Sequence, residues 1–552
     1  MNVFSSLSLS CLLLCALACG PTQKSLPEVE QWTTYEISLE AQGTYDNPYT
    51  EVSLWATFTS ESGQQMKRPA FWDGGNTWNI RFAPPTTNER WTWQTQLQSG
   101  TDAGLSGQSG ALRSIPYQGD HQLLRSGLLK MSPGKRNVVH ADGTPFLVVG
   151  DTPWAIPFRA TTEQVERYAR DRQTKGFNTA LLMTLQPDME SVGPNARNTD
   201  QGFVRAFSDL SDGHINQMDP TYFHYLDSLI DILLDHEIVP VYQPVFHGFG
   251  WKGEKVLGVV VDADEYVRYC QYLLARYGSQ PAFWLLAGDH NAKDPGVKES
   301  GEMMEVWDAY QQPTGLHYSP CDDFIAEWAK NDPLKHCMHH NNSWQEEPWM
   351  DFQWAQTGHN GDHQYHKVSR MYDNPTVKAA ANGEPTYEGM GGGKNGLGWW
   401  QGEDAWMQLM SGGTMGVVYG AASLWQWKIT ADEAGWADWA AQPKSWEEAM
   451  QMEGSIHVGL VGQILEGYQL TDIEKRWDLA GGKPLLAKEG ELYLSYLNAG
   501  GTLTIAGLPA DLPYHWVNPK TGEAQPIETT TASMAFEAPS PQPWVLVVGA
   551  MG

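Results

Sequence analysis

Two short segments of this chain place carboxyl groups where hydrolytic chemistry needs them. Asp289 closes an apolar run in Trp284-Leu285-Leu286-Ala287-Gly288-Asp289-His290-Asn291. Glu384 and Glu388 close another in Asn382-Gly383-Glu384-Pro385-Thr386-Tyr387-Glu388. A strand that delivers a carboxyl to an aromatic-walled rim desolvates it and raises its pKa, as a general acid requires. A second carboxylate from another strand end completes the pair that cleaves a glycosidic bond. A separation of about 5 Å suits a retaining mechanism, and about 6.5–9.5 Å an inverting one. The residues alone leave that choice open. Taken singly, an acidic residue at a strand end is more often a salt bridge or a helix cap, so the pairing carries the reading. Glu384 follows a Gly, precedes a Pro and comes first after the apolar run, which suits a fixed nucleophile. Glu388 comes four residues later, at a loop position, and suits a substrate hydrogen bonder or a supporting group.

Other polar and aromatic residues recur at the ends of apolar runs and form a candidate sugar-binding ring. They are Asp151 and Trp154, Gln186, Gln243 and His247, His290, His339 and His340, Gln356 and His359, and Trp425 and Trp427. Carboxylates, amides and imidazoles suit the hydroxyls of one sugar, and indoles suit its apolar face. Core packing is the ordinary role of any single Trp. The histidines also invite a metal reading, through His336, His339, His340, His359, His363 and His366. They lie on separate segments, with no HExxH and no two-Cys ligand set. Hydroxyl binding is the better expectation, and no metal or other cofactor is expected, although a lone Ca²⁺ on the acidic loops stays open. The Gly389–Lys394 run does not have the spacing of a phosphate loop and reads as a flexible active-site loop.

These residues need a scaffold that brings strand ends together. Eight runs read as strands: PFLVVGDTPW, FNTALLMTLQ, IVPVYQPVFH, AFWLLAGDHN, KHCMHHNN, MDFQWAQTGH, VKAAANGEPTYE and GVVYGAASLWQW. Most are apolar and turn polar at their C-terminal ends. Helices alternate with them, with start signals at Thr161–Gln164, Asp219-Pro220 and Asp262–Glu265. The expected fold is α/β, a (β/α)8 TIM barrel over residues 119–468 whose chemistry sits where the strands exit. Strands four and seven are expected to face each other across it. β-branched and aromatic clusters separated by turn residues predict an N-terminal β-sandwich over 31–118 and a small C-terminal β-sandwich over 469–552. Bracing the barrel is the preferred role for both, over independent glycan binding.

Composition narrows the partner. The 552 residues hold 36 Lys+Arg against 65 Asp+Glu, a formal charge of -29, with 25 Trp and 22 Tyr. No basic cluster offers a phosphate backbone its counter-charge, so nucleic acid is excluded as a partner. An acidic, Trp-rich chain suits an oligo- or polysaccharide. Leu7–Ala18 is an apolar stretch too short to span a bilayer, where about 20 residues are needed, and it fits a signal-peptide core. The Ala16-Leu17-Ala18-Cys19-Gly20 sequence resembles a bacterial lipobox. Residues 1–19 are therefore expected to be a lipoprotein signal peptide and 20–30 a linker. Export follows, to the outer membrane, periplasm or cell surface, with membrane contact only through a lipid anchor at Cys19. Cys270, Cys321 and Cys337 are odd in number and lack a CxxC, so no disulfide scaffold is expected.

The segments GDTPW, KGFNTALL, DPTYFHYLDSLIDILLDHEIVPVY, WLLAGDHN, DFQWAQTGH and NGEPTYEG together resemble the apiosidase-like glycoside hydrolases, family 140 and its relatives. FWDGGNTWNIRFAPP resembles the β-sandwich that commonly precedes that barrel. YHWVNPKTGEA with WVLVV resembles the small β-domain, once labelled a putative collagen-binding domain, that often follows it. The resemblance implies an exo-acting retaining glycosidase, with an Asp acid/base after strand four and a Glu nucleophile after strand seven, here Asp289 and Glu384. Members related to the apiosidases release terminal apiose from pectin side chains. Ala287-Gly288-Asp289 departs from the commoner Gly-Gly-Asp, which leaves the acid/base role in place but not the pentose specificity. The expected activity is release of a terminal sugar from a complex plant or algal polysaccharide. The alternative is a glycan-binding lipoprotein without turnover. A uronic-glycan lyase is disfavoured because no arginine cluster lies near the strand ends.

Overall fold

The computed structural model describes residues 25–187, 189, 204–248, 256–290, 292–318, 343–359, 361–390, 396–433, 442–532 and 534–552, with the side chain of His290 excepted. At its centre eight parallel strands close into a barrel. They are β1 (Val148–Asp151), β2 (Thr179–Met183), β3 (Val239–Gln243) and β4 (Phe283–His290). β5 (Thr314–Tyr318), β6 (Phe352–Gln356), β7 (Ala379–Glu384) and β8 (Gly416–Tyr419) complete the ring. The seam is β1 against β8, in register from Val148↔Gly416 to Asp151↔Tyr419. A Cβ on Gly416 would fall 2.1 Å from the Val148 carbonyl oxygen, so only glycine closes the seam there. Both faces of a parallel barrel are covered, which is why its strands read as continuous apolar runs.

Among the described residues seven longer helices clothe the barrel: α1 (Thr162–Lys175), α2 (Pro220–Asp235), α3 (Ala263–Tyr277), α4 (Val297–Trp307), α5 (Tyr365–Tyr372), α6 (Trp399–Met410) and α7 (Gly454–Leu465). The three expected start signals are all in use. Thr161 and Gln164 form a reciprocal capping box on α1, Asp219 caps α2 ahead of Pro220, and the Asp262 side chain accepts the Asp264 N–H at the start of α3.

Four expectations about strands need correcting. Strand five is Thr314–Tyr318, not KHCMHHNN, which lies outside the described residues. TGLHY is short, contains a Gly and a His, and has no β-branched run. Its place between β4 and β6, not its own propensity, makes it a strand. The first expected run divides: Pro145–Phe146 joins a small three-stranded sheet with Leu129–Met131 and Val138–His140, and only Val148–Asp151 enters the barrel. The eighth ends at Tyr419, short of Trp425 and Trp427. In the closed ring β4 and β7 stand three places apart, so they are not diametrically opposed.

The N-terminal unit packs a five-stranded sheet on a three-stranded one around Phe58, Ile80, Phe82 and Trp91. Its first strand, Glu28–Glu30, pairs in parallel with Ser109–Ile115, so the sheet begins inside the stretch expected to be linker. Only Val29 of that strand is buried, too little apolar pattern to be read in advance. The C-terminal unit has a six-stranded sheet and a two-stranded one. The barrel's core is continuous with Tyr49 and Phe71 of the first unit and with Tyr496, Val545 and Val547 of the last.

Candidate active site

Parallel barrel strands all exit on one face, so their C-terminal residues form a ring there. Glu384 ends β7 on that ring and is only 8 % exposed. His359 Nε2 lies 3.1 Å from its Oε1, while His359 Nδ1 accepts the Tyr387 backbone N–H at 3.3 Å. That second bond fixes the tautomer: the ring proton is on Nε2 and is donated to the carboxylate. His317 Nε2 faces the other oxygen, Oε2, at 3.6 Å. Gln356 is the register partner of Glu384, and its side chain also hydrogen-bonds the carboxylate. Burial pushes the Glu384 pKa up, but His359, His317 and Gln356 outweigh it and hold the group below the ordinary glutamate range. Burial pushes the His317 pKa down, against the pull of the Glu384 charge.

Asp289 lies near the end of β4 with φ +61°, a left-handed conformation that a non-glycine residue rarely adopts. The β4–β5 register slips on both sides of Gly288, as in a bulge that re-aims a side chain. Strained backbone of this kind clusters at functional sites. Gly248, just beyond β3, packs directly on Asp289: a Cβ there would come within 2.4 Å of Asp289 Oδ2.

Aromatic rings stand beside the carboxylate of Glu384. Trp154 Nε1 donates to the Tyr387 hydroxyl at 2.8 Å, and the Trp154 and His317 rings are stacked, with centroids 6.0 Å apart. The Tyr387 ring lies 4.7 Å from that of His359. Of the expected ring, Trp154, Gln356 and His359 therefore gather around Glu384. Gln243 and His247 are buried at the end of β3, the former against Gly288 and the latter edge-on to Tyr266.

Other expected ligands are committed elsewhere. The Asp151 carboxylate accepts from Arg172 Nε at 2.5 Å, Tyr168 OH at 3.0 Å and the Thr152 N–H at 2.8 Å, a fully buried ion pair between β1 and α1. Gln186 donates to the Val204 carbonyl at 3.3 Å and holds that segment. Glu388 accepts from Gly398 N at 2.7 Å, Gly454 N at 2.9 Å and Tyr419 OH at 2.6 Å, and desolvation nevertheless pushes its pKa up. Trp427 stacks on Trp446 at 4.6 Å and donates to Gln164 Oε1 at 2.9 Å, while Trp425 is buried with its carbonyl accepting the Ala155 N–H. His339, His340 and the His290 side chain lie outside the described residues. Burial pushes the Cys270 thiol up to about 12, which removes it as a nucleophile. Among the described residues no group of three or more His, Cys, Asp or Glu is placed to hold a metal ion.

Two residues at this site were not singled out in the sequence. Tyr387 stands inside NGEPTYE, and only its contacts with Trp154 and His359 distinguish it. His317 is the penultimate residue of TGLHY, and the polar end of a short strand between Pro313 and Pro320 was the available signal.

The chain matches the apiosidase-like catalytic domain over residues 132–472, more than half its length. It belongs to the apiosidase-like family. Residues 28–98 match a domain of unknown function, DUF5060, which accounts for most of the N-terminal sandwich ahead of the apiosidase-like barrel. A Bacteroides vulgatus chain taken for a glycoside hydrolase superposes with TM-score 0.67 at 18% identity, covering 95% of this chain and all of that one. A family 5 glycoside hydrolase from the same organism gives TM-score 0.59 at 18% identity, covering 77% of this chain and 93% of the other. At that identity the likeness speaks for the fold. No curated protein matches the chain. Family and fold make this apiosidase-like protein a glycosidase acting on a saccharide.

Proposed function

We propose that this glycosidase releases a terminal sugar from a complex plant or algal polysaccharide with retention of configuration. Glu384 attacks the anomeric carbon while Asp289 protonates the leaving oxygen. Asp289 then takes a proton from the water that hydrolyses the glycosyl-enzyme. The observation that carries this reading is the setting of Glu384: buried at the end of β7, bonded by His359, with its pKa held below the ordinary glutamate range. A nucleophilic carboxylate must be charged before the substrate arrives, and the environment holds it so. Asp289, on a re-aimed stretch of β4, supplies the second carboxyl. Glu388 supports the assignment by contrast, because its oxygens are taken by Tyr419 and two backbone N–H groups. The sugar class follows from family membership and from the charge of -29, which favours neutral glycans. The test is sugar release from a panel of plant and algal polysaccharides. Asp289→Asn should cost on the order of 10²–10⁴ in rate, and Glu384→Gln should abolish turnover. Full activity in either variant would refute the assignment.

We further infer that residues 1–19 direct export and that Cys19 carries a lipid, on the strength of the apolar Leu7–Ala18 stretch and the Ala-Leu-Ala-Cys-Gly sequence after it.

A further inference from the structure

β5 lies between β4 and β6 in the ring, and His317 is the register partner of both Gly288 and Trp354. It therefore stands beside the residue that precedes Asp289 while its own Nε2 faces Glu384. The ring is 2 % exposed and backed by Trp154. Its Nε2 is 3.6 Å from Glu384 Oε2, beyond hydrogen-bond reach, and has no hydrogen-bond partner among the described residues. A buried ring nitrogen left without a hydrogen bond costs free energy, and native structures keep such groups for a reason. The carboxylate is asymmetric in a matching way. His359 holds Oε1, and Oε2 is the oxygen His317 faces.

A second unmet group stands on the other side of β4. The Gln243 amide is 1 % exposed, and neither its oxygen nor its nitrogen has a partner among the described residues. It lies so close to Gly288 that a Cβ there would fall 1.6 Å from Gln243 Nε2. Two buried polar side chains, from β3 and β5, thus flank the residue before Asp289, and both have hydrogen bonds still to make.

We infer that His317 is a specificity-determining residue that hydrogen-bonds the sugar hydroxyl on the carbon next to the anomeric centre. When Glu384 attacks the anomeric carbon, that hydroxyl is the substituent carried alongside. An oxygen placed to one side, within reach of both, can accept from His317 Nε2–H and donate to Oε2, bridging the two. Hydrogen bonds to this hydroxyl strengthen in the transition state of glycosyl transfer. The inference rests on the reading of Glu384 as nucleophile.

The test uses the full-length chain and 4-nitrophenyl glycosides of pentoses and hexoses, each paired with its 2-deoxy counterpart. The wild type should turn over at least one glycoside with kcat/KM on the order of 10²-fold or more above that of its deoxy partner, as sites built to bind a hydroxyl do. His317→Phe should reduce that ratio to within about threefold, chiefly through kcat, and His317→Gln should restore part of it. The inference is overturned if His317→Phe, with wild-type circular dichroism, keeps the ratio, or if the wild type shows none. Should the Phe variant not fold, His317→Ala against His317→Gln makes the same comparison. Failure of the underlying reading looks different: Glu384→Gln then retains turnover on the same glycosides, whatever the ratio. If no glycoside is turned over, calorimetry with the free sugars and their 2-deoxy forms decides. Weaker binding of a deoxy sugar in the wild type but not in His317→Phe supports the inference, and the absence of such a difference overturns it.

Discussion

The ionisation of Glu384 is set by competition within a few ångströms. Burial favours the neutral acid, while His359, His317 and Gln356 favour the anion and win. The sign follows directly. A depressed folded-state pKa keeps the carboxylate charged as pH falls, and its contribution to stability is lost only as pH drops through that lowered value. The acid limb of kcat/KM, which reports the free enzyme, should therefore lie below about 4.3, the ordinary glutamate value. His359 is the largest of the lowering influences, so His359→Ala should move the acid limb upward. A pH–rate profile checks this. A limb that stays in place in the variant would show that His359 does not control the nucleophile.

Elements decide which of the nearby carboxylates is available. Glu388 ties β8, through Tyr419, to the Gly398 N–H ahead of α6 and to the Gly454 N–H at the first residue of α7. Its role is to hold two helix starts against the barrel. Glu388→Gln turns an amide towards backbone donors and should cost about 3 kcal/mol or more, given roughly 1–3 kcal/mol per unmet buried group. Thermal melting reads that loss, and turnover measured well below the melt should stay within about tenfold of the wild type. Wild-type stability with abolished turnover would return Glu388 to the chemistry. The same logic explains what the sequence could and could not reveal. β4 and β7 were legible because buried parallel strands are unbroken apolar runs ending in a charge. β5 was not, because TGLHY has no such run and owes its place to its neighbours. Asp151 looked like a rim residue from its position at a strand end. However, Val149 packs against Gly462 of α7, and two residues further along the same face Asp151 meets Arg172 of α1. Facing is set by register, and register around β5 became visible only in the folded chain.

At the scale of the whole molecule, the flanking sheets are built into the barrel. Arg276 of α3 bonds Asp227 of α2 and Asp73 of the N-terminal unit, each at 2.8 Å, and Arg81 of that unit reaches Asp227 and the Arg276 carbonyl. Arg68 donates to the Leu274 carbonyl from a buried position. These charges are fixed across the junction, and the shared apolar core continues into both flanking units. The N-terminal sandwich is thus joined to the barrel by ion pairs and shared core, as a bracing role requires. No helix among the described residues is long and apolar enough to cross a membrane. The proposed lipid anchor at Cys19 is tested separately. The full chain, expressed in a Gram-negative host with alkyne-palmitate, should label and sediment with membranes, and Cys19→Ala should do neither. Labelling that survives the substitution would contradict the anchor.

The central claim is that Glu384 forms the covalent bond to sugar. Acid quenching of the wild type during steady turnover of a released glycan, followed by proteolysis and mass spectrometry, tests it most directly. The account predicts one glycosyl unit on the peptide carrying Glu384, localised to that residue. An adduct on Glu388 or Asp289, or product of inverted configuration with no adduct at all, would contradict it.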